Sequence, residues 1–151
     1  MKVIFLDIDG VMITGTHLKP SHAYNGYEFA PVAVENLKEI IEQTGAAIVV
    51  SSTWRTGGFA FLQNMFHSNG IAKGLVGQTP VIHYASRGQE IQQYIEESKW
   101  DPTLKVDRFI ILDDNDDMGH LRSYLVRTHW RTGLDEEAKE QAIQMLLGKK
   151  E

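Results

Sequence analysis

An α/β fold built on a mostly parallel sheet is what this sequence predicts, and three observations carry the prediction. Lys2 to Leu6, Ala46 to Val50 and Arg108 to Leu112 hold near-continuous apolar runs, the pattern of strands covered on both faces, where a half-exposed strand would alternate. The segments between them repeat apolar residues at helical spacing, so strand and helix alternate from end to end. Each of the three strands stops in short polar residues: Asp7 and Asp9, Ser51 and Ser52, Asp113 and Asp114.

In chain order, KVIFLDIDG reads as a buried strand that ends in two carboxylates and a glycine. VMITGT, beta-branched around Gly15, predicts a short hairpin, and His17 to Phe29, with Pro20, Asn25 and Gly26, a long loop open to two readings, a functional lid or a plain surface excursion. Pro31 suits a first helical turn, Val34, Leu37, Ile40 and Ile41 form its apolar stripe, and Gly45 stops it. AAIVV is the second strand, joined to the first by a right-handed crossover. Phe59, Leu62, Met65 and Phe66 space a second helix, Leu75 and Val76 a short strand, and Arg87 opens a third helix striped by Ile91, Tyr94 and Ile95. After RFIIL, Leu125 and Val126 suggest a last short strand, and Asp135 caps a final helix whose Glu136 and Glu137 favour its positive end.

With 151 residues, 42% hydrophobic and 23% charged, the chain suits one domain over 1–151. A formal net charge of -5 excludes the broad basic surface of most nucleic-acid binders, though not a local basic patch. There is no cysteine, hence no disulfide, thiolate metal site or thiol nucleophile. MKVIFLDI is too short and too soon charged for a signal peptide or membrane anchor, so a cytoplasmic protein without membrane partners is expected.

Ligands of open parallel sheets bind beyond the carboxyl ends of the strands, where these polar residues converge. Four carboxylates crowded there need a divalent cation, and an all-oxygen donor set fits magnesium better than zinc. A metal, a carboxylate nucleophile, the hydroxyls of Ser51 and Ser52 and the positive charge of Arg87 and Arg55 suit phosphoryl transfer. No GxxxxGK[ST] or GxGxxG loop offers a rival phosphate cradle. Asp113, Asn115 and Asp117 match the opening of a calcium-binding EF-hand loop, but Met118 stands where glycine is needed and Tyr124 where the bidentate glutamate belongs. Trp54 is open to two readings, a packing residue at the strand end or a stacker for substrate, and the histidines show no ligand spacing.

FLDIDGV resembles the first motif of the haloacid dehalogenase (HAD) superfamily, VVSSTWR the second, the arginine of SRGQEI the third and ILDDNDD the fourth; GLDEEA resembles its closing helix. The likeness covers nearly the whole chain, and SSTWR and RGQEI look most like small HAD domains of nucleic-acid repair proteins. It implies a three-layer α/β/α Rossmann-like fold. It also implies that Asp7 attacks phosphorus to form an aspartyl phosphate and that Asp9 protonates the leaving oxygen, then deprotonates water. Aspartate at that second position marks the family's phosphatases. Asp7 and the backbone carbonyl of Asp9 would bind Mg2+ with Asp114 as third protein ligand, Asp113 orienting its neighbours. Ser51 and Arg87, the latter in place of the commoner lysine, would hold phosphoryl oxygens, with Ser52 and Arg55 at the rim. Neither interval between motifs leaves the roughly fifty residues a cap domain needs, so an open site is expected. The resemblance thus implies a magnesium-dependent phosphomonoesterase acting on a nucleic-acid end or nucleotide. A catalytically silent binding module and a phosphotransferase to an acceptor alcohol are the alternatives.

Overall fold

The computed structural model describes residues 1–148; positions 149–151 of the expected domain lie outside the described residues. Five strands form one sheet, β1 (Lys2–Leu6), β2 (Ala47–Val50), β3 (Leu75–Gln78), β4 (Arg108–Asp113) and β5 (Leu125–Arg127). Their order is β3-β2-β1-β4-β5, and every pairing is parallel. The apolar runs explain this, because the three innermost strands bury both faces. Ile4, Leu6, Ile48, Val50, Ile110 and Leu112 point to one layer of helices. Val3, Phe5, Val49 and Ile111 point to the other.

On the first face lie α1 (Pro31–Thr44), α2 (Phe59–Ser68) and α4 (Glu136–Leu146), through Leu37 and Ile40, Leu62 and Met65, and Ala142 and Leu146. On the second lies α3 (Arg87–Ser98), through Ile91 and Tyr94, with Met118 and Leu121 at the short 3-10 turn Gly119–Tyr124. The result is a three-layer α/β/α Rossmann-like fold. Helix ends follow their local signals. Pro31 starts α1, and Gly45, at φ 72°, closes it with a bond from its N–H to Ile41 O. Ser86 and Gln89 form a reciprocal capping box on α3, and Asp135 caps α4 through Ala138 N at 3.0 Å.

The hairpin expected over VMITGT does not form. Instead the carbonyl of Ile8 accepts from Val11, Met12 and Ile13 N–H in one tight turn. Val11, Met12, Ile13 and Thr14 are all buried, so the segment is tucked into the core, where a free-standing hairpin would expose half of these side chains. Its backbone is tied to the rest of the domain by bonds from Ala30 N to Met12 O and from Leu134 N to Val11 O. The long loop carries one antiparallel bridge, Pro20 to Tyr27. Neither the β1–α1 interval nor the β2–α3 interval holds a further sheet, so among the described residues no cap domain stands over the carboxyl edge.

Candidate active site

The chain runs outward from β1 to β2 and β3 and then returns to β4 on the other side of β1. The cleft between β1 and β4 is therefore the topological switch point of the sheet. The register sets what meets there: Leu6 lies opposite Val50 and Leu112. The ladder continues past the strand ends, with Asp7 N donating to Leu112 O, Ser51 N to Leu6 O and Thr128 N to Asp113 O. Asp7, Ser51 and Asp113 consequently stand side by side at one edge.

One carboxylate oxygen from each of Asp7, Asp113 and Asp114 lies within 4.8 Å of the others. Asp7 and Asp113 are buried. Arg87, at the first position of α3, donates to Asp113 Oδ2 at 2.6 Å and lies 3.2 Å from Asp7 Oδ2. Asp113 Oδ1 also accepts from Asn115 N at 3.0 Å, so both oxygens of Asp113 are engaged. Burial, with the charge of Asp113 added, pushes the Asp7 carboxyl up from 3.8 to about 8, against the smaller opposing pull of Arg87. Asp114 is raised for the same two reasons. One guanidinium does not neutralise three crowded carboxylates.

A model of the family described as "HAD domain in Swiss Army Knife RNA repair proteins" matches residues 3–138. The chain belongs to that family. No curated protein matches it.

Within this HAD domain the carboxylate of Asp9 is set apart from the other three. It is exposed, and its Oδ2 accepts from Trp54 Nε1 at 3.1 Å. Two aspartates two residues apart thus have different surroundings, one buried among acids and one on the rim. Ser51 Oγ is buried and has no hydrogen-bond partner among the described residues, as suits a donor reserved for a ligand. Ser52 is fully buried, and its Oγ caps the turn Thr53–Gly57 by accepting from Trp54 N at 3.2 Å; it shapes the turn and does not reach the rim.

Arg55 corrects a sequence expectation. Its guanidinium is buried and spent on internal partners: Nε donates to Ser52 O at 2.6 Å, Nη1 to Thr79 Oγ1 and to Pro80 O at 3.0 Å, and Nη2 to Glu90 Oε1 at 3.0 Å. Glu90 Oε2 in turn accepts from Ile82 N at 2.9 Å. Arg55 therefore holds the turn after β2 to α3, fixing Ser51 relative to Arg87, and offers nothing to a substrate. Glu90 is assigned no role by the sequence motifs, yet it lies four residues before Tyr94 and so on the buried face of α3; an acid there signals a buried partner.

Two glycines let the acids and Arg87 approach. A Cβ on Gly88 would meet Met118 O at 2.5 Å, so α3 can seat its first turn, and Arg87, against the loop after β4. A Cβ on Gly10, whose φ is 82°, would fall 2.2 Å from Asp114 Oδ2. Gly10→Ala is expected to push the Asp114 carboxylate away from Asp7 and Asp113, and any affinity of the three-aspartate cluster for a divalent cation to fall by about tenfold or more, as loss of support for a carboxylate commonly does; titration calorimetry with magnesium measures it.

Proposed function

We propose that this HAD domain is a magnesium-dependent phosphomonoesterase that works through an aspartyl phosphate on Asp7. One observation carries the reading: a buried Asp7 shares its edge with Arg87, Asp113, Asp114 and the unpartnered hydroxyl of Ser51, while a second aspartate, Asp9, stands apart on the rim. The donor set fits magnesium, since it is all oxygen, crowded and short of positive charge. Asp7, Asp114 and the backbone carbonyl of Asp9 would hold the ion, with Asp113 retaining Arg87. When bound, the ion neutralises the acids and polarises the phosphoryl oxygens.

The remaining work falls to side chains. Arg87 and Ser51 hold phosphoryl oxygens as charge-assisted and neutral donors. An Asp7 oxygen forms a bond to phosphorus as the bond to the leaving oxygen breaks, and Asp9 gives that oxygen its proton. Asp9 then takes a proton from water, whose oxygen attacks phosphorus and frees Asp7. The substrate is proposed to be the phosphate on a nucleic-acid end or nucleotide, supported by the family's tie to RNA repair proteins and by the lack of a cap over the site among the described residues. Among the described residues no helix is long and apolar enough to cross a membrane; a cytoplasmic location is part of the proposal.

The test is hydrolysis of p-nitrophenyl phosphate with magnesium and with EDTA, followed by a panel of phosphorylated RNA ends, nucleotides and phosphopeptides. Turnover that needs magnesium and favours the nucleotide substrates is expected; equal background with and without the metal would end the proposal. Magnesium is also expected to raise the melting temperature more at pH 8 than near pH 5. A carboxyl whose pKa is raised on folding keeps its proton in the folded chain as pH rises, and the ion must displace that proton at low pH but not above about 8.

A further inference from the structure

The surroundings of Asp9 hold more than its own carboxylate. Trp54, which donates to Asp9 Oδ2, lies nearly parallel to Phe61, with ring centroids 6.2 Å apart and an angle of 18°. Tyr24 meets Phe61 edge-on at 6.2 Å. A Cβ on Gly26 would come within 3.0 Å of Trp54 Cη2 and 3.2 Å of Tyr24 Cε2, so the loop 17–29 presses on the indole edge. That loop is anchored to the end of α2: Asn69 Nδ2 donates to the Tyr24 hydroxyl at 2.9 Å, and Asn69 Oδ1 accepts from Phe29 N at 2.9 Å. Left open by the sequence as lid or excursion, the loop is a brace that holds the indole, and the indole holds Asp9.

Beside this contact opens a cleft of about 480 Å³ lined by Asp9, Asn25, Thr53, Trp54, Thr56 and Phe61. An acid that protonates the leaving oxygen must stand next to it, so the leaving group has to extend into the space that Asp9 borders. A second groove, of about 600 Å³, is bounded by Asp114, Arg127 and Trp130 and not by Asp9; it is not placed to receive a group protonated by Asp9.

We propose that the Asp9 cleft is the leaving-group subsite, that Trp54 is the residue that positions Asp9 at its mouth, and that the group it takes is a nucleoside. A flat base matches the aromatic wall of Trp54 and Phe61, and ribose hydroxyls and base edges match the amide of Asn25, the hydroxyl of Thr53 and, as an acceptor only, the hydroxyl of Thr56, which donates to Thr53 O at 3.1 Å. This rests on the phosphatase reading above. In the step served, the nucleoside oxygen leaves phosphorus with the Asp9 proton while Asp7 takes the phosphoryl group.

Two variants and one spectrum test it. Trp54→Phe keeps a ring against Phe61 and removes the donor. The lost hydrogen bond to a carboxylate is expected to raise the ratio of kcat/KM for p-nitrophenyl phosphate, which needs little help to leave, over that for adenosine monophosphate by about tenfold or more. Asn25→Trp, at an exposed position on the cleft wall, is expected to raise KM for adenosine monophosphate by about tenfold more than it raises the inhibition constant of inorganic phosphate, which does not enter the cleft. An unchanged ratio in the first variant overturns the role of Trp54, and parallel changes in the second overturn the subsite. In the NMR spectrum of the magnesium-loaded chain, the Trp54 indole N–H, assigned by its loss in Trp54→Phe, should shift in Asp9→Ala and on addition of adenosine monophosphate, but not with inorganic phosphate. If the wild-type chain hydrolyses no phosphate ester, the phosphatase reading fails, and the indole titration alone then judges the cleft. No shift with adenosine monophosphate, or a shift only with a phosphopeptide or sugar phosphate, overturns the nucleoside assignment.

Discussion

Asp7→Asn is expected to abolish turnover, by at least about ten-thousandfold in kcat, and at the same time to stabilise the metal-free chain at pH 8. The first effect follows because an amide oxygen is a poor nucleophile and leaves phosphorus without its acceptor. The second follows from burial. The Asp7 carboxyl is pushed from 3.8 to about 8 on folding, first by desolvation and then by Asp113. Its contribution to stability is fully present below the unfolded value near 3.8 and is lost as pH rises through about 8, where the folded chain must accept a charge in a place that disfavours it. Asparagine carries no such charge. The variant should therefore melt within a degree or two of wild type near pH 4 and several degrees above it at pH 8. Calorimetric scans of both proteins in EDTA across that pH range check it; a variant that loses activity and is also less stable at pH 8 would show that Asp7 is not the strained carboxyl of the cluster.

Arg55→Ala is expected to cost about 3–5 kcal/mol of stability, because it leaves Glu90 buried without its cation. That corresponds to a fall of about 10 °C in melting temperature. The loss belongs to the orphaned charge more than to the pair, so an apolar replacement of both residues, Arg55→Met with Glu90→Leu, should recover most of it. Denaturant melts of the two singles and the double measure the coupling directly. A substrate-binding role for Arg55 would give the opposite result, a rise in KM with little change in stability.

The contrast between Arg55 and Asp7 shows what was legible in the chain. Buried strands announce themselves by unbroken apolar runs, and the residues after their last apolar position must lie at the sheet edge. Asp7, Ser51 and Asp113 are therefore legible as neighbours from the apolar runs alone. Helix spacing and caps did the same for α1 to α4. Arg55 and Trp54 lie in a turn, where neither period nor run dictates direction, and their partners Glu90 and Asp9 are 35 and 45 residues away in the chain. The hairpin over VMITGT failed for a related reason: beta-branched residues favour extended backbone, but burial of Val11, Met12 and Ile13 was worth more than local propensity. Ser52 shows a further ambiguity, since a serine past a strand is as good a cap as a ligand.

The claim that all of this serves is that Asp7 carries the phosphoryl group. Rapid acid quench of the magnesium-loaded chain during turnover, followed by mass spectrometry of the peptide that spans Asp7 and Asp9, tests it most directly. With p-nitrophenyl phosphate, whose leaving group needs no proton, one phosphoryl group is expected on Asp7, present in wild type, accumulating in Asp9→Asn and absent in Asp7→Asn. Turnover with no phosphorylated peptide, or phosphate on any other side chain, would contradict it.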